Sequence, residues 1–292
     1  MRAHLLGVRG SIPAPGLPFV RYGGNTSCVA LARDGAVPSL VLDAGTGIRE
    51  LSTVLDGAPF DGSLLLTHLH WDHVEGLPFC TSMDRPDART DVLLPSQPDG
   101  TGAAATLSRM MSPPNFPIGP EGLIGTWTFA TLEPGTQDRE GYSVTAVEIA
   151  HKGGTTFGYR IAEHGPHGPH GSPGSPGSTL AYLPDHCPTV YGPGPDGWGD
   201  FPPSVVDLVR DVDVLIHDAQ LTADQLPDGA AYGHAAVEYA VALGAVAGAS
   251  TVVLFHHSPR RTDDRLDEIA ARYCRHRSPT VVVAVEGTVL DY

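Results

Sequence analysis

Residues 64–73 read Leu64-Leu65-Leu66-Thr67-His68-Leu69-His70-Trp71-Asp72-His73, an apolar run that ends in three histidines and a carboxylate. The run predicts a buried strand over 63–67. At a strand end, side chains two apart point the same way, so His68 and His70 can converge on one point. Asp72 and His73 follow on the turn that leaves the strand and can serve a second point nearby. Imidazole and carboxylate are the ligands that hold zinc, manganese or iron, and two such ions can clamp a displacement reaction. The spacing His-x-His-x-Asp-His is therefore read as a metal-binding cluster and not as a set of surface histidines.

Outward from the cluster, short apolar runs alternate with glycine turns. In the first half they predict strands over 3–8, 27–33 and 39–43, and a loop from Gly7 to Gly16. Asp43 to Ile48 reads as a strand end, a glycine turn and the start of a helix ending near Leu55. A further helix is expected to begin at 74–80. In the second half strands are expected at 143–149, 156–162, 179–183, 213–217, 251–255 and 280–285, with helices at 203–210, 234–248 and 263–277. Leu266, Ile269, Ala270 and Tyr273 recur at helical spacing and mark a core face of the last helix.

Two segments break the pattern. Residues 112–120, Ser-Pro-Pro-Asn-Phe-Pro-Ile-Gly-Pro, cannot form regular helix or central strand, because proline lacks the donor and the freedom. They read as a loop that lies over a site with Phe116 exposed, or else as an ordinary connector. Residues 164–178 are rich in Gly, Pro and His; their histidines 164, 167 and 170 lack a fixed geometry, so a flexible hairpin tip is expected instead of a metal site. No linker separates parts of different composition, and residues 1–292 are read as a single domain.

The 292-residue chain is 41% apolar and 17% charged, which supports a substantial core and excludes a disordered protein. The formal charge of −15 disfavours long nucleic acids, whose affinity comes largely from Lys and Arg on phosphates. Cys28, Cys80, Cys187 and Cys274 are far apart and form no Cys-x-x-Cys pair, as expected of reduced thiols. No signal-like segment and no membrane-length apolar window occurs, so a soluble, cytoplasmic protein is expected, with no membrane partner.

A binuclear site needs more ligands than the cluster holds. His151 follows the apolar run 144–150, Asp185 follows Leu180–Pro184, and His256 and His257 follow Thr251–Phe255. Each stands where a buried strand opens into a loop, the place where layered α/β folds put their chemistry.

With these residues in view, the chain resembles the metallo-β-lactamase-fold hydrolases, in particular the branch containing ribonuclease Z and the small phosphodiesterases. The resemblance rests on Gly7–Ser11, Gly23–Ser27, Asp43–Gly47, Thr67–His73, His151, Thr156–Tyr159, Leu183–Asp185, His217–Ala219, Gly233-His234 and His256–Pro259. These pieces run in the family's order over almost the whole chain. They imply an α/β, four-layer αββα sandwich with two mixed β-sheets flanked by helices, and two divalent ions, zinc or else manganese or iron. Carried over, His68, His70 and His151 would hold one ion, and Asp72, His73 and His256 the other, with Asp185 bridging. His256 is preferred to His257 because the family's ligand comes directly after the strand. Asp72 counts among the catalytic residues as well as the ligands. Asp43 would fix a ligand imidazole. His234, at the opening of a helix, would protonate the leaving group, and Asp218 would orient it. His186 could reach the site mouth, whereas His217 reads as a core residue.

The resemblance implies hydrolysis of a phosphodiester by water held between the ions. Ribonuclease Z enzymes clamp RNA with a projecting arm rich in glycine and basic residues; here 164–178 carries no Lys or Arg. That departure and the acidic charge favour a small phosphodiester: a cyclic nucleotide, cyclic phosphate or dinucleotide. The alternatives are hydrolysis of a thioester, lactone or lactam, tRNA 3′-end cleavage, and a non-catalytic metal-binding regulatory module. By family analogy a homodimer is expected.

Overall fold

The computed structural model describes residues 1–165, 177–275 and 278–292. His167, His170 and most of the expected hairpin tip lie outside them.

Two seven-stranded sheets pack face to face. In the first, β1 (Arg2–Gly7), β2 (Cys28–Ala32), β3 (Leu40–Leu42), β4 (Asp61–Leu65), β5 (Arg89–Pro95) and β6 (Thr126–Leu132) lie in sequence order. The second holds β7 (Gly135–Arg139), β8 (Tyr142–Glu148), β9 (Phe157–Glu163), β10 (Thr179–Leu183), β11 (Val214–Asp218), β12 (Thr251–Phe255) and β13 (Thr280–Val283), again in order. The last strand, β14 (Val289–Asp291), returns to the first sheet beside β1. Pairing is antiparallel from β14 to β3 and parallel from β3 to β6. The second sheet is antiparallel from β7 to β10 and parallel from β10 to β13.

Alternation along the strands builds the layers. Leu65 faces inward and packs with Leu5, Leu42, Tyr182, Ile216 and Phe255 between the sheets. Its neighbours Leu64 and Leu66 point to the opposite face, as strand geometry requires, against Ile48, Leu51 and Leu107. The helices on that side are α1 (Leu51–Val54) and α2 (Ala103–Ser108). On the outer face of the second sheet, α3 (Pro203–Leu208), α5 (Val237–Ala247) and α6 (Asp263–Tyr273) cover Ala181, Leu215 and Leu254, while the short α4 (Leu226–Gly229) lies in the connection before α5. The architecture is the expected αββα sandwich with two mixed sheets.

Several local expectations shift. Residues 74–80 form no α-helix; a single 3₁₀ turn, Leu77–Phe79, stands there after the 3₁₀ turn Trp71–His73, as Gly76 and Pro78 dictate. Helix α5 starts at Val237 and not at His234, because Leu221 pairs with Ala236 and holds the preceding segment extended. Helix α6 ends at Tyr273, and the last two residues of its expected span lie outside the described ones. Strands β5, β6, β7 and β14 and helix α2 were not among the expected elements.

The sheet orders decide where the chemistry falls. β3, β4, β8, β10, β11 and β12 all finish at one edge of the sandwich, so the residues after them meet there. Among the described residues, no helix is long and apolar enough to cross a membrane.

Candidate metal centre

Among the described residues, three overlapping sets of potential ligand atoms converge at this edge, each within 4.8 Å of one another: His68, His70, His151 and Asp185; Asp72, His73, Asp185 and His256; and Asp185, Asp218, His234 and His256. Asp185 belongs to all three, and the first two are the sets expected from the sequence. Its Oδ2 lies 3.0 Å from His68 Nε2, 3.1 Å from His73 Nε2 and 3.5 Å from His151 Nε2. Its Oδ1 lies 3.0 Å from His256 Nδ1. His70 Nδ1 is 3.2 Å from His151 Nε2, and Asp72 Oδ2 is 3.0 Å from His256 Nε2.

The donor set fits divalent cations on its own geometry. His68 Nε2 and Asp185 Oδ1 are buried and form no hydrogen bond, although each faces the other members of the cluster at short range. Buried lone pairs directed at a shared point without a proton between them suit a cation. Burial depresses both His68 and His151 to about 4, outweighing the attraction of Asp185, so both imidazoles offer free lone pairs at neutral pH. At His73 and His256 burial acts the same way, but the surrounding carboxylates prevail and raise both, His256 to about 8.

Partners behind the cluster set each ring. Asp43 Oδ2 accepts a 2.8 Å hydrogen bond from His73 Nδ1, while its other oxygen accepts from Thr67 N at 2.7 Å. Tyr182 donates to the same carboxylate at 3.0 Å. His151 Nδ1 donates to Gly233 O at 2.8 Å, which leaves Nε2 for the cluster. Asp72 Oδ2 accepts the backbone N–H of Ser11 at 2.6 Å.

His256 joins the cluster and His257 does not. His257 is buried against Tyr22, with Nε2 donating to Ala284 O at 2.9 Å. His256 turns away from the strand with φ of 56°, a left-handed conformation that aims its ring at Asp72 and Asp185. Gly10 makes room for that ring: a Cβ there would stand 2.3 Å from His256 Nδ1.

Beside the cluster opens a cleft of about 440 Å3 walled by His70, Trp71, Asp72, His151, Tyr232 and His234, among others. His234 Nδ1 lies 3.1 Å from Asp218 Oδ2 and 3.4 Å from Asp185 Oδ1, so Nε2 is the nitrogen left for a bound molecule. Burial opposes protonation of His234, yet Asp218 and Asp185 hold it up to about 11. Asp218 is fully buried and also accepts from the backbone N–H groups of His186, Ala235 and Gln220.

Residues 39–257 match the beta-lactamase superfamily domain. The chain belongs to that superfamily. Its fold is the metallo-β-lactamase fold: a protein of that fold, YhfI from Bacillus subtilis, superposes with a TM-score of 0.67 at 19% identity, over 99% of each chain. A diphosphatase from the PhnP family superposes with a TM-score of 0.65 at 17% identity, over 100% of this chain and 97% of its own. In sequence, the chain is 27% identical to ribonuclease Z of Haloarcula marismortui, covering 92% of this chain and 90% of that one. As a superfamily member the chain is a hydrolase with a His and Asp metal-binding cluster.

Against the sequence-based expectations, His186 differs. It is fully buried, with Nδ1 3.1 Å from His217 Nε2, and it faces the interior instead of the site mouth. Residues that sequence reasoning missed include Gln220, whose Nε2 lies 3.2 Å from His256 Nδ1, and the cleft residues Tyr232 and Leu69. Gln220 had a signal: it is a polar side chain two residues beyond a buried strand end.

Proposed function

We propose that the chain is a binuclear metal-dependent phosphodiesterase acting on a small phosphodiester. His68, His70 and His151 would hold one ion and Asp72, His73 and His256 the other, with Asp185 shared. When bound, two divalent ions supply Lewis acidity to phosphoryl oxygens and lower the pKa of a nucleophilic water. Asp43 and the Gly233 carbonyl keep His73 and His151 in the tautomer that presents Nε2. His234 carries a proton at Nε2 for the leaving oxygen, and Asp218, bonded to Nδ1, keeps the ring turned toward the cleft and favours its charged form.

The observation that carries this reading is the His234–Asp218 pair beside a doubled ligand cluster. A thioester, whose thiolate is a good leaving group, needs the metals but no such donor, whereas the alkoxide of a phosphodiester does. The names of the ribonuclease Z relative and of the diphosphatase neighbour support phosphorus as the centre attacked. A small diester is favoured over RNA by the charge of −15. The ribonuclease Z relative favours a second reading, tRNA 3′-end cleavage.

Hydrolysis of bis(p-nitrophenyl) phosphate is the test. Activity is expected with zinc or manganese loaded and is expected to collapse with a chelator. Cleavage of lactams or thioesters but of no phosphodiester by the loaded protein would overturn the proposal. Cyclic nucleotides, cyclic phosphates and dinucleotides, run beside a precursor tRNA, separate the two phosphodiester readings.

A further inference from the structure

A second cavity, of about 540 Å3, lies next to the metal cleft and shares Trp71 with it. Its walls come from two segments. The turns after the cluster supply Trp71, Leu77 and Phe79; helix α2 and the loop behind it supply Leu107, Met110 and Phe116. Phe79 and Phe116 meet edge to face with ring centroids 5.8 Å apart. Trp71 is 73% exposed and Phe79 55% exposed, so both present aromatic surface at the cavity mouth. The proline-rich loop 112–120 borders this cavity, and Phe116, expected to be exposed, is half-buried in its wall.

Polar groups are few on this wall, and Glu75 is its one carboxylate. A pocket of aromatic and sulfur-bearing walls with a carboxylate at its side suits a flat ring that carries N–H donors. Such a ring, attached to a phosphate held at the metal cluster, would pass Trp71 on its way in.

We propose that this cavity is the base pocket of the site: it takes the nucleobase of a nucleoside phosphodiester, stacked among Trp71, Phe79 and Phe116, with a ring N–H donated to Glu75. The proposal rests on the phosphodiesterase reading for its chemistry but not for its binding. It narrows the substrate class to diesters with at least one nucleoside.

Two substrates with the same leaving group test it: thymidine 5′-(p-nitrophenyl) phosphate and methyl p-nitrophenyl phosphate. The metal-loaded protein is expected to favour the thymidine diester in kcat/KM. Phe79→Ala is expected to cut the ratio of the two kcat/KM values about tenfold, through KM, as loss of one buried aromatic contact does. Phe79→Leu, which preserves folding volume, is expected to fall between. Equilibrium dialysis of thymidine 5′-monophosphate gives a readout independent of turnover, and its dissociation constant is expected to rise about tenfold in Phe79→Ala. An unchanged ratio together with unchanged nucleotide binding overturns the pocket. So does a dimer that Phe79→Ala splits while the ratio stays intact, since a second copy of the chain would then occupy this face. If no diester is cleaved yet nucleotide binding still depends on Phe79, the pocket stands and the phosphodiesterase reading fails.

Discussion

His234 Nδ1 and Asp218 Oδ2 stand 3.1 Å apart although their residues lie on different elements, one after a glycine turn and one at the end of β11. Gly233, with φ of 92°, ends the turn before His234 and gives its carbonyl to His151. One turn therefore sets both a potential metal ligand and the proposed acid. His234→Ala is expected to lower turnover of a diester with an alkoxide leaving group, such as a cyclic nucleotide, by about 10²–10⁴-fold, the range for removing a general acid. Turnover of bis(p-nitrophenyl) phosphate is expected to fall far less, because p-nitrophenolate leaves without a proton. Metal content by mass spectrometry is expected to stay near that of the parent. Equal loss of metal and activity would instead make His234 a ligand or a structural group.

Asp185 touches both ligand sets, so its removal should be felt at both. Asp185→Ala is expected to bind fewer ions in each set, whereas His70→Ala, which belongs to one set, is expected to lose mainly one. Metal stoichiometry after dialysis against zinc checks the contrast. Identical stoichiometry in the two variants would show that Asp185 does not bridge.

Gly10 is needed for space, not for backbone freedom. A methyl group there would meet His256 Nδ1 at 2.3 Å and Gln220 Nε2 at 2.6 Å. The histidine cannot retreat easily, because it is fully buried and packed against His73. Gly10→Ala is expected to displace His256 and to lower affinity for the ion of its set, with the other set less affected. A variant with unaltered metal stoichiometry and turnover would show that the ring can yield.

The ligand residues were legible because each stands directly after a strand that reads clearly from its apolar run: Leu64–Leu66, Leu180–Leu183 and Thr251–Phe255. The parallel order of β10, β11 and β12 then brings Asp185, Asp218 and His256 to one edge without further information. What stayed hidden was either polar or remote. β7, Gly-Thr-Gln-Asp-Arg, lies at a sheet edge with no fully buried residue, so no apolar pattern marks it. β5 carries Arg89 and Asp91 among its apolar residues, because the two pair with each other and Arg89 also pairs with Asp61 and Glu140 across the surface. The inward turn of His186 depends on His217, 31 residues later, a long-range contact that no local pattern contains.

That pair has a direction written into it. His217 Nδ1 lies 2.8 Å from the backbone oxygen of Asp218, which can only accept, so His217 carries its proton on Nδ1. Its Nε2 is then an acceptor and receives the Nδ1–H of His186 at 3.1 Å. His186 Nε2 is left buried, without a partner and without a proton. Burial lowers both histidines from the ordinary value of 6.5, helped at His186 by the rings of His217 and His151 and opposed at His217 by Asp218, and so favours the neutral form of each. The unfolded chain binds protons at these rings below about 6.5, while the folded chain does not. Their contribution to stability is therefore complete above that pH and declines as the pH falls through it, by up to about 1.4 kcal/mol per pH unit for each ring. The urea midpoint is expected to drop between pH 7.5 and 5.5, and His217→Gln is expected to flatten the drop while lowering the midpoint at pH 7.5. A parent and variant with the same pH slope would mean that the pair does not stay neutral in the folded protein.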